Sequence, residues 1–135
     1  MCIFCKISKG DIPSYKVYED DKYLAFLDIS QTTKGHTLLI PKKHFENLLE
    51  LDTTEYNNMF DIVKKIAKGI KDETNAKGFN ILNNCNEAAG QTVMHFHIHI
   101  IPRYDNDNFN ISFSSNPLCN DEFISLANSI KSKIQ

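Results

Sequence analysis

Hydrophobic and polar positions divide the 135-residue chain into a short series of elements. Two apolar-rich runs of strand length, Tyr15–Glu19 and Tyr23–Asp28, flank Asp20-Asp21 and predict a hairpin. His36–Ile40 predicts a third strand, entered through Gly35 and closed by Pro41. Tyr56, Met59, Phe60, Val63, Ile66, Ala67 and Ile70 recur at three- and four-residue steps. They predict the longest amphipathic helix, ending near Asn75 with Gly78 close behind. Asp52, Thr53 and Thr54 are good N-cap residues ahead of it. Phe79–Asn83 and Val93–Pro102 predict two further strands, with Asn84–Gln91 as the turn between them. Phe4–Lys9 predicts a short helical turn stopped by Gly10, with Pro13 just beyond, and Phe45–Leu51 predicts another. Tyr104–Asn116 is polar and irregular, and Glu122–Ile134 can form a terminal helix. Five strands with helices inserted between hairpins, not strictly alternating, predict an α+β fold with an antiparallel sheet.

The most informative of these runs is Met94-His95-Phe96-His97-Ile98-His99-Ile100-Ile101-Pro102. Side chains of a strand point alternately to its two faces, so Phe96, Ile98 and Ile100 are expected toward a core. His95, His97 and His99 would then share the other face, neighbouring imidazoles roughly 6.5–7 Å apart at twice the strand rise. A solvated face would ordinarily carry Thr, Lys or Glu. Three histidines in a row call for a chemical reason.

Composition narrows the possibilities. One domain over residues 1–135 is long enough for a hydrophobic core without disulfide staples. The net charge of −2 provides no general field for nucleic acid or an anionic membrane, so any phosphate site must be local. Lys64, Lys65, Lys68 and Lys71 read as a solvated helix face. No apolar run reaches the roughly 20 residues of a membrane span, and the first residues lack the pattern of a signal peptide. A cytoplasmic protein without nucleic-acid or membrane partners is expected. Of the four cysteines, Cys2 and Cys5 form a C-x-x-C pair, for which redox chemistry and zinc are both possible. The pair stands at the N-terminus, outside the βαβ context of a redox motif, and His44 with one triad histidine would complete a Cys₂His₂ set. Cys85 and Cys119 are expected to be free thiols.

From residue chemistry alone, two functional readings of the histidine row stay open. Ring nitrogens two residues apart on a strand can share a zinc ion whose open position activates water. Alternatively one imidazole attacks phosphorus while another donates to a phosphate oxygen, with Thr92 and loop amides holding the remaining oxygens. Gly90, which lets backbone approach a ligand, and the short polar side chains of Gln91 and Thr92 suit the second reading better. Asp28, at the end of an apolar strand, could accept from the two hydroxyls of a ribose, or serve as a turn residue.

The run from Gln91 to Ile101 resembles the histidine-triad (HIT) motif, His-φ-His-φ-His-φ-φ. Gly35-His36-Thr37-Leu38-Leu39-Ile40-Pro41-Lys42-Lys43-His44 resembles that family's upstream signature, and Phe26-Leu27-Asp28-Ile29 its ribose-contacting strand. The likeness runs in order from Cys2 to about Tyr104, and the C-terminal segment 105–135 carries little of it. Small bacterial Hint-like members that keep an N-terminal C-x-x-C are the most similar group.

The resemblance implies the HIT α+β fold, a five-stranded antiparallel sheet with a long helix and a C-terminal helix. It also implies a homodimer whose two sheets join into one of ten strands. The ligand would be a purine nucleoside monophosphate of AMP or GMP type, and the reaction hydrolysis of its bond to a leaving group, often a phosphoramidate nitrogen. Carried over by position, His97 is the nucleophile that becomes a nucleotidyl-histidine, and His99 donates to the phosphate. Thr92 lies near the bridging atom, and His36 belongs to the active-site network. Asp28 would hold the ribose, Asn84, Gly90 and Gln91 the phosphate side, and Ile3, Phe4, Ile7, Phe26 and Ile29 the purine. In C-x-x-C members the first triad histidine helps to bind a metal, so Cys2, Cys5, His44 and His95 are expected to form a closed structural zinc site, with no organic cofactor. The alternatives are a hydrolase of dinucleoside polyphosphates of the Ap4A kind, and a nucleotide-binding regulatory module with little turnover.

Overall fold

The computed structural model describes residues Cys2–Ile134. Three helices, α1 (Ile3–Lys9), α2 (Met59–Thr74) and α3 (Asn120–Ile134), accompany five strands. The strands are β1 (Lys16–Glu19), β2 (Tyr23–Leu27), β3 (Thr37–Pro41), β4 (Gly78–Leu82) and β5 (Ile98–Arg103). They form one antiparallel sheet in the order β1-β2-β3-β5-β4, the architecture expected from the sequence.

Alternation within the central strands sorts side chains between two apolar layers. Tyr23 and Ala25 of β2, Leu39 of β3 and Ile98 and Ile100 of β5 join Ile62, Val63 and Ile66 of α2 in one cluster. Leu24 and Phe26 of β2 and Leu38 and Ile40 of β3 point the other way, to Phe4 and Ile7 of α1. The sheet is thus covered on both faces, which is why β2 and β3 read as continuous apolar runs.

Element ends follow local chemistry. Helix α1 stops at Gly10 and α2 at Asn75, both in left-handed backbone, as the sequence suggested. Helix α2 starts at Met59 and not beside Asp52–Thr54. The Asp52 carboxylate instead accepts from the Thr54 and Glu55 amides and the Thr54 hydroxyl, closing a separate turn. The buried stripe of α2 keeps Val63 and Ile66, with Met59, Ala67 and Ile70 packed against the core, and departs from the expected one at two positions. Ile62 is buried, whereas Phe60, placed in the stripe by spacing alone, is 69% exposed. In place of the expected helical turn Phe45–Leu51 stands a 3₁₀ turn at Leu48–Glu50, capped by Asn47.

The largest departure concerns the histidine row. Strand β5 begins at Ile98, so His95 and His97 precede the sheet and only His99 lies within it. Sheet pairing with β3 runs out at Leu39–Ile98. Beyond it the Phe96 amide donates to the Phe45 carbonyl at 2.6 Å and the His95 amide to the Val93 carbonyl at 2.9 Å. Alternation survives this bend, because Phe96, Ile98 and Ile100 still enter the α2 cluster. The chain after Arg103 folds back through an Arg103–Asp107 ion pair, and residues 110–134, including all of α3, are exposed. No described helix is long and apolar enough to cross a membrane.

Gly35 sets the entry to β3. Its φ of +101° is left-handed, and a Cβ there would lie 3.2 Å from both Ile70 Cγ2 and Pro102 Cγ. Gly35→Ala is expected to destabilise the protein by about 1–3 kcal/mol in urea unfolding. An unchanged midpoint and slope would show that the turn relaxes freely.

Candidate active site and metal cluster

His95 is fully buried and engaged on three sides. Its Nε2 lies 2.8 Å from the Pro41 carbonyl, which can only accept, so Nε2 carries the proton and Nδ1 is left as a lone pair. Its backbone carbonyl accepts from His97 Nδ1 at 2.7 Å. That bond fixes the His97 tautomer: Nδ1 is protonated and the unoccupied lone pair is on Nε2. Asn83, absent from the sequence-derived site, donates to the His97 carbonyl at 2.9 Å and steadies the same residue from β4's side.

A second chain of donors runs through the far histidines. The Thr32 amide donates to His36 Nδ1 at 3.2 Å, so neutral His36 bears its proton on Nε2. That nitrogen donates to His99 Nδ1 at 2.9 Å, which leaves His99 with an Nε2–H to offer. An Asp28 carboxylate oxygen lies 3.7 Å from His36 Nε2, and the other oxygen accepts from the Ser30 amide at 2.8 Å. The His97 and His99 rings have centroids 5.0 Å apart, closer than the roughly 6.5–7 Å expected from twice the strand rise. They present unlike groups, a lone pair and a donor.

Burial keeps these rings uncharged. His95 and His99 are each pushed down to about 4, first by desolvation and then by neighbouring histidines. Desolvation also lowers His36 and His97, with Asp28 opposing it in both. At neutral pH a nucleophilic Nε2 and a neutral donor are therefore both available.

The cavity beside them has a volume of about 310 Å³. Its wall includes Ile3, Phe4, Ile7, Phe26, Asp28, Ile29, Thr92, His97 and His99, all singled out from the sequence. Phe4 packs edge-on against His97, with ring centroids 5.1 Å apart, and against Phe26 at 5.6 Å. Ile12, Ser14, Tyr15, Leu38 and Val93 line it as well and were not foreseen; an apolar strand residue such as Leu38 reads as core, and loop residues such as Ile12 and Ser14 carry no periodic signal. Asn84, Gly90 and Gln91 do not line the cavity. The Gln91 side chain turns inward, donating to the Glu46 and Val93 carbonyls and accepting from the Asn86 amide, and so clamps the loop. Asn84 closes the same loop by donating to the Gly90 carbonyl. A larger groove of about 680 Å³, walled by Val17, Tyr18, Ile66 and Ile70 among others, contains no histidine.

Cys2, Cys5, His44 and His95 converge as a group that could hold a metal ion. His95 Nδ1 is 3.5 Å from each sulfur and 3.2 Å from His44 Nδ1, and Cys5 Sγ is 3.3 Å from His44 Nδ1. Ligands at tetrahedral zinc distances are separated by about 3.3 Å between nitrogens and about 3.6 Å between nitrogen and sulfur. The observed spacings fit, and the lone pair left on His95 Nδ1 is the one a metal needs. Burial, then the adjacent Cys2, raises the Cys5 thiol, a cost that a bound cation would reverse. Asp28, His36 and His99 also cluster, but there one histidine donates to the other.

The HIT domain family model matches residues 9–106. The Bacillus subtilis protein named Protein hit is 61% identical over 103 residues, 76% of this chain and 71% of its own. A Schizosaccharomyces pombe protein named adenosine 5'-monophosphoramidase hnt1 is 42% identical over 135 residues, covering 99% and 98%. Among solved structures, a HIT family protein from Bacillus subtilis shares 49% identity with a TM-score of 0.91, covering 97% and 95%. A zinc-bound histidine triad family protein from Mycobacterium smegmatis shares 34% identity with a TM-score of 0.75, covering 99% and 97%.

The depressed His99 and His97 values predict that neither ring shows an inflection near pH 6.5 in an NMR titration of the imidazole carbons, with His99 titrating near 4. The unfolded chain takes up protons at about 6.5 that the native one resists, so stability should also fall as pH drops from 6.5 toward 4. Ordinary titration of both rings would refute their desolvation.

Proposed function

Because the chain belongs to the HIT domain family, we propose that it hydrolyses the bond between a purine nucleoside 5'-monophosphate and its leaving group, with a phosphoramidate as the preferred substrate type. The observation that carries this reading is the bond from His97 Nδ1 to the His95 carbonyl, which leaves Nε2 of a cavity-lining ring as the nucleophile. The phosphoramidase name of the fungal relative supports the substrate class.

In the first step His97 Nε2 attacks the α-phosphorus. The phosphorus–nitrogen bond breaks and the leaving nitrogen takes up a proton. Water then attacks the nucleotidyl-histidine, returning free His97 and the nucleoside monophosphate. His99 Nε2–H donates to a phosphate oxygen throughout, and its orientation depends on His36. Thr92 stands at the exposed rim of the cavity, where the bridging atom would lie. Asp28 takes the ribose, and the apolar wall of Phe4, Ile7 and Phe26 takes the base. Of the loop expected on the phosphate side, Thr92 reaches the cavity, while the Gln91 side chain is committed to the Glu46 and Val93 carbonyls and Asn84 to the Gly90 carbonyl.

The metal of the Cys2, Cys5, His44 and His95 cluster is zinc in this reading, with all four positions filled by protein and none left for water. Bound there, it supplies structural cross-linking and no reacting group. The donor set and spacing support zinc, as does the zinc-bound relative. A second copy would pair along β4, the sheet edge nearer the histidines, to give the ten-stranded sheet.

His97→Ala is expected to lower phosphoramidate turnover by roughly 10³-fold or more while AMP still binds. Rapid quench with a radiolabelled phosphoramidate should trap an adduct on the wild-type chain and none on the variant; an undiminished adduct would remove His97 from the role. Elemental analysis should find one zinc per chain, and chelation should lower the melting temperature together with activity. Activity lost with the melting temperature unchanged would point to a metal in the reaction itself.

A further inference from the structure

Ser14 lies in the loop between α1 and β1 and lines the histidine cavity. Among the described residues, its Oγ is the buried side-chain polar atom without a protein hydrogen-bond partner. A hydroxyl desolvated in this way is unfavourable unless something else completes it.

Its position indicates what that is. Lys16 stands opposite Phe26 in the β1–β2 ladder, and the Leu27 amide donates to the Tyr15 carbonyl at 2.9 Å. Extending this register by one residue brings Ser14 opposite Asp28, and opposed residues of an antiparallel pair share a face about 4.5–5.5 Å apart. Both line the cavity. Their hydrogen-bonding capacities are complementary. An ionised carboxylate only accepts, so a sugar hydroxyl that donates to Asp28 keeps lone pairs that need a donor. The Ser14 hydroxyl is such a donor, and the freedom of its single χ1 bond is what would aim Oγ at a bound sugar.

We infer that Ser14 is a specificity-determining residue that donates to a ribose hydroxyl oxygen held by Asp28, so that the cavity selects ribonucleotides over deoxynucleotides. This assignment rests on the reading of the cavity as a nucleotide site. The pair resembles a clamp with one accepting and one donating jaw, and only a sugar bearing both hydroxyls fills it.

The test is calorimetric binding of AMP, 2'-deoxyAMP and 3'-deoxyAMP to the wild-type protein and to Ser14→Ala, with melting temperatures of both. Ser14→Ala should weaken AMP binding about two- to tenfold, the range of one neutral hydrogen bond. It should leave unchanged the affinity for whichever deoxy analogue lacks the hydroxyl that Ser14 serves. Its melting temperature should match or exceed the wild-type value, because an unpartnered buried hydroxyl has been removed. Equal weakening of all three ligands, no weakening of AMP, or a lower melting temperature would each overturn the assignment. Wild-type protein that binds AMP and both deoxy analogues alike would overturn it too, leaving the nucleotide reading standing. Wild-type protein that binds none of the three would bring down the nucleotide reading itself, and this assignment with it.

Discussion

The hydrogen bond from His97 Nδ1 to the His95 carbonyl is the constraint on which the site depends. An isolated imidazole exchanges its proton between two nitrogens, and either can point at a ligand. Here one nitrogen is occupied by a backbone acceptor that cannot move, because His95 is itself fixed at both ring nitrogens. Its Nε2 donates to Pro41, and its Nδ1 faces Cys2, Cys5 and His44. Orientation of the cavity-lining His97 ring is therefore inherited from a buried residue that does not itself line the cavity.

Helix α1 joins the parts of this arrangement. Within seven residues it contributes Cys5 to the candidate metal cluster and Phe4 and Ile7 to both the cavity wall and the apolar layer over β2 and β3. Phe4 touches the His95, His97 and Phe26 rings at once. A helix this short has little stability of its own. Anchoring its first turn to His44 and His95 through a metal would hold the wall in place, so a metal remote from the reacting atoms would still govern the cavity's shape. The same packing removes water from the histidines, which keeps them neutral and lets the His97 and His99 rings, one offering a lone pair and the other a donor, stand with centroids 5.0 Å apart without charge repulsion.

The sequence already disclosed much of this. Apolar runs, alternating in the histidine strand, marked all five strands, and the C-x-x-C pair, His44 and the triad marked the atoms that converge. What it hid was set by tertiary context. A strict period of two runs from Met94 to Ile100, yet the sheet ends at Ile98 because Phe96 pairs with Phe45 instead. Phe60 satisfies helical spacing but lies on the solvent side, since spacing does not say how a helix is rolled on its sheet. Gln91 looked like a ligand contact from its place beside the triad, but a long amide can equally turn inward and satisfy three backbone groups, and here it does. Ser14 and Asn83 gave no signal, because their significance lies in what stands across from them.

The tautomer of His97 is the most direct measure of the account. In ¹⁵N-histidine-labelled protein at neutral pH, long-range ¹H–¹⁵N correlation should find His97 with a protonated, pyrrole-like Nδ1 and an unprotonated, pyridine-like Nε2. A proton on Nε2, or rapid averaging between the two nitrogens, would mean that the His95 carbonyl does not hold the ring, and the mechanism built on it would not stand.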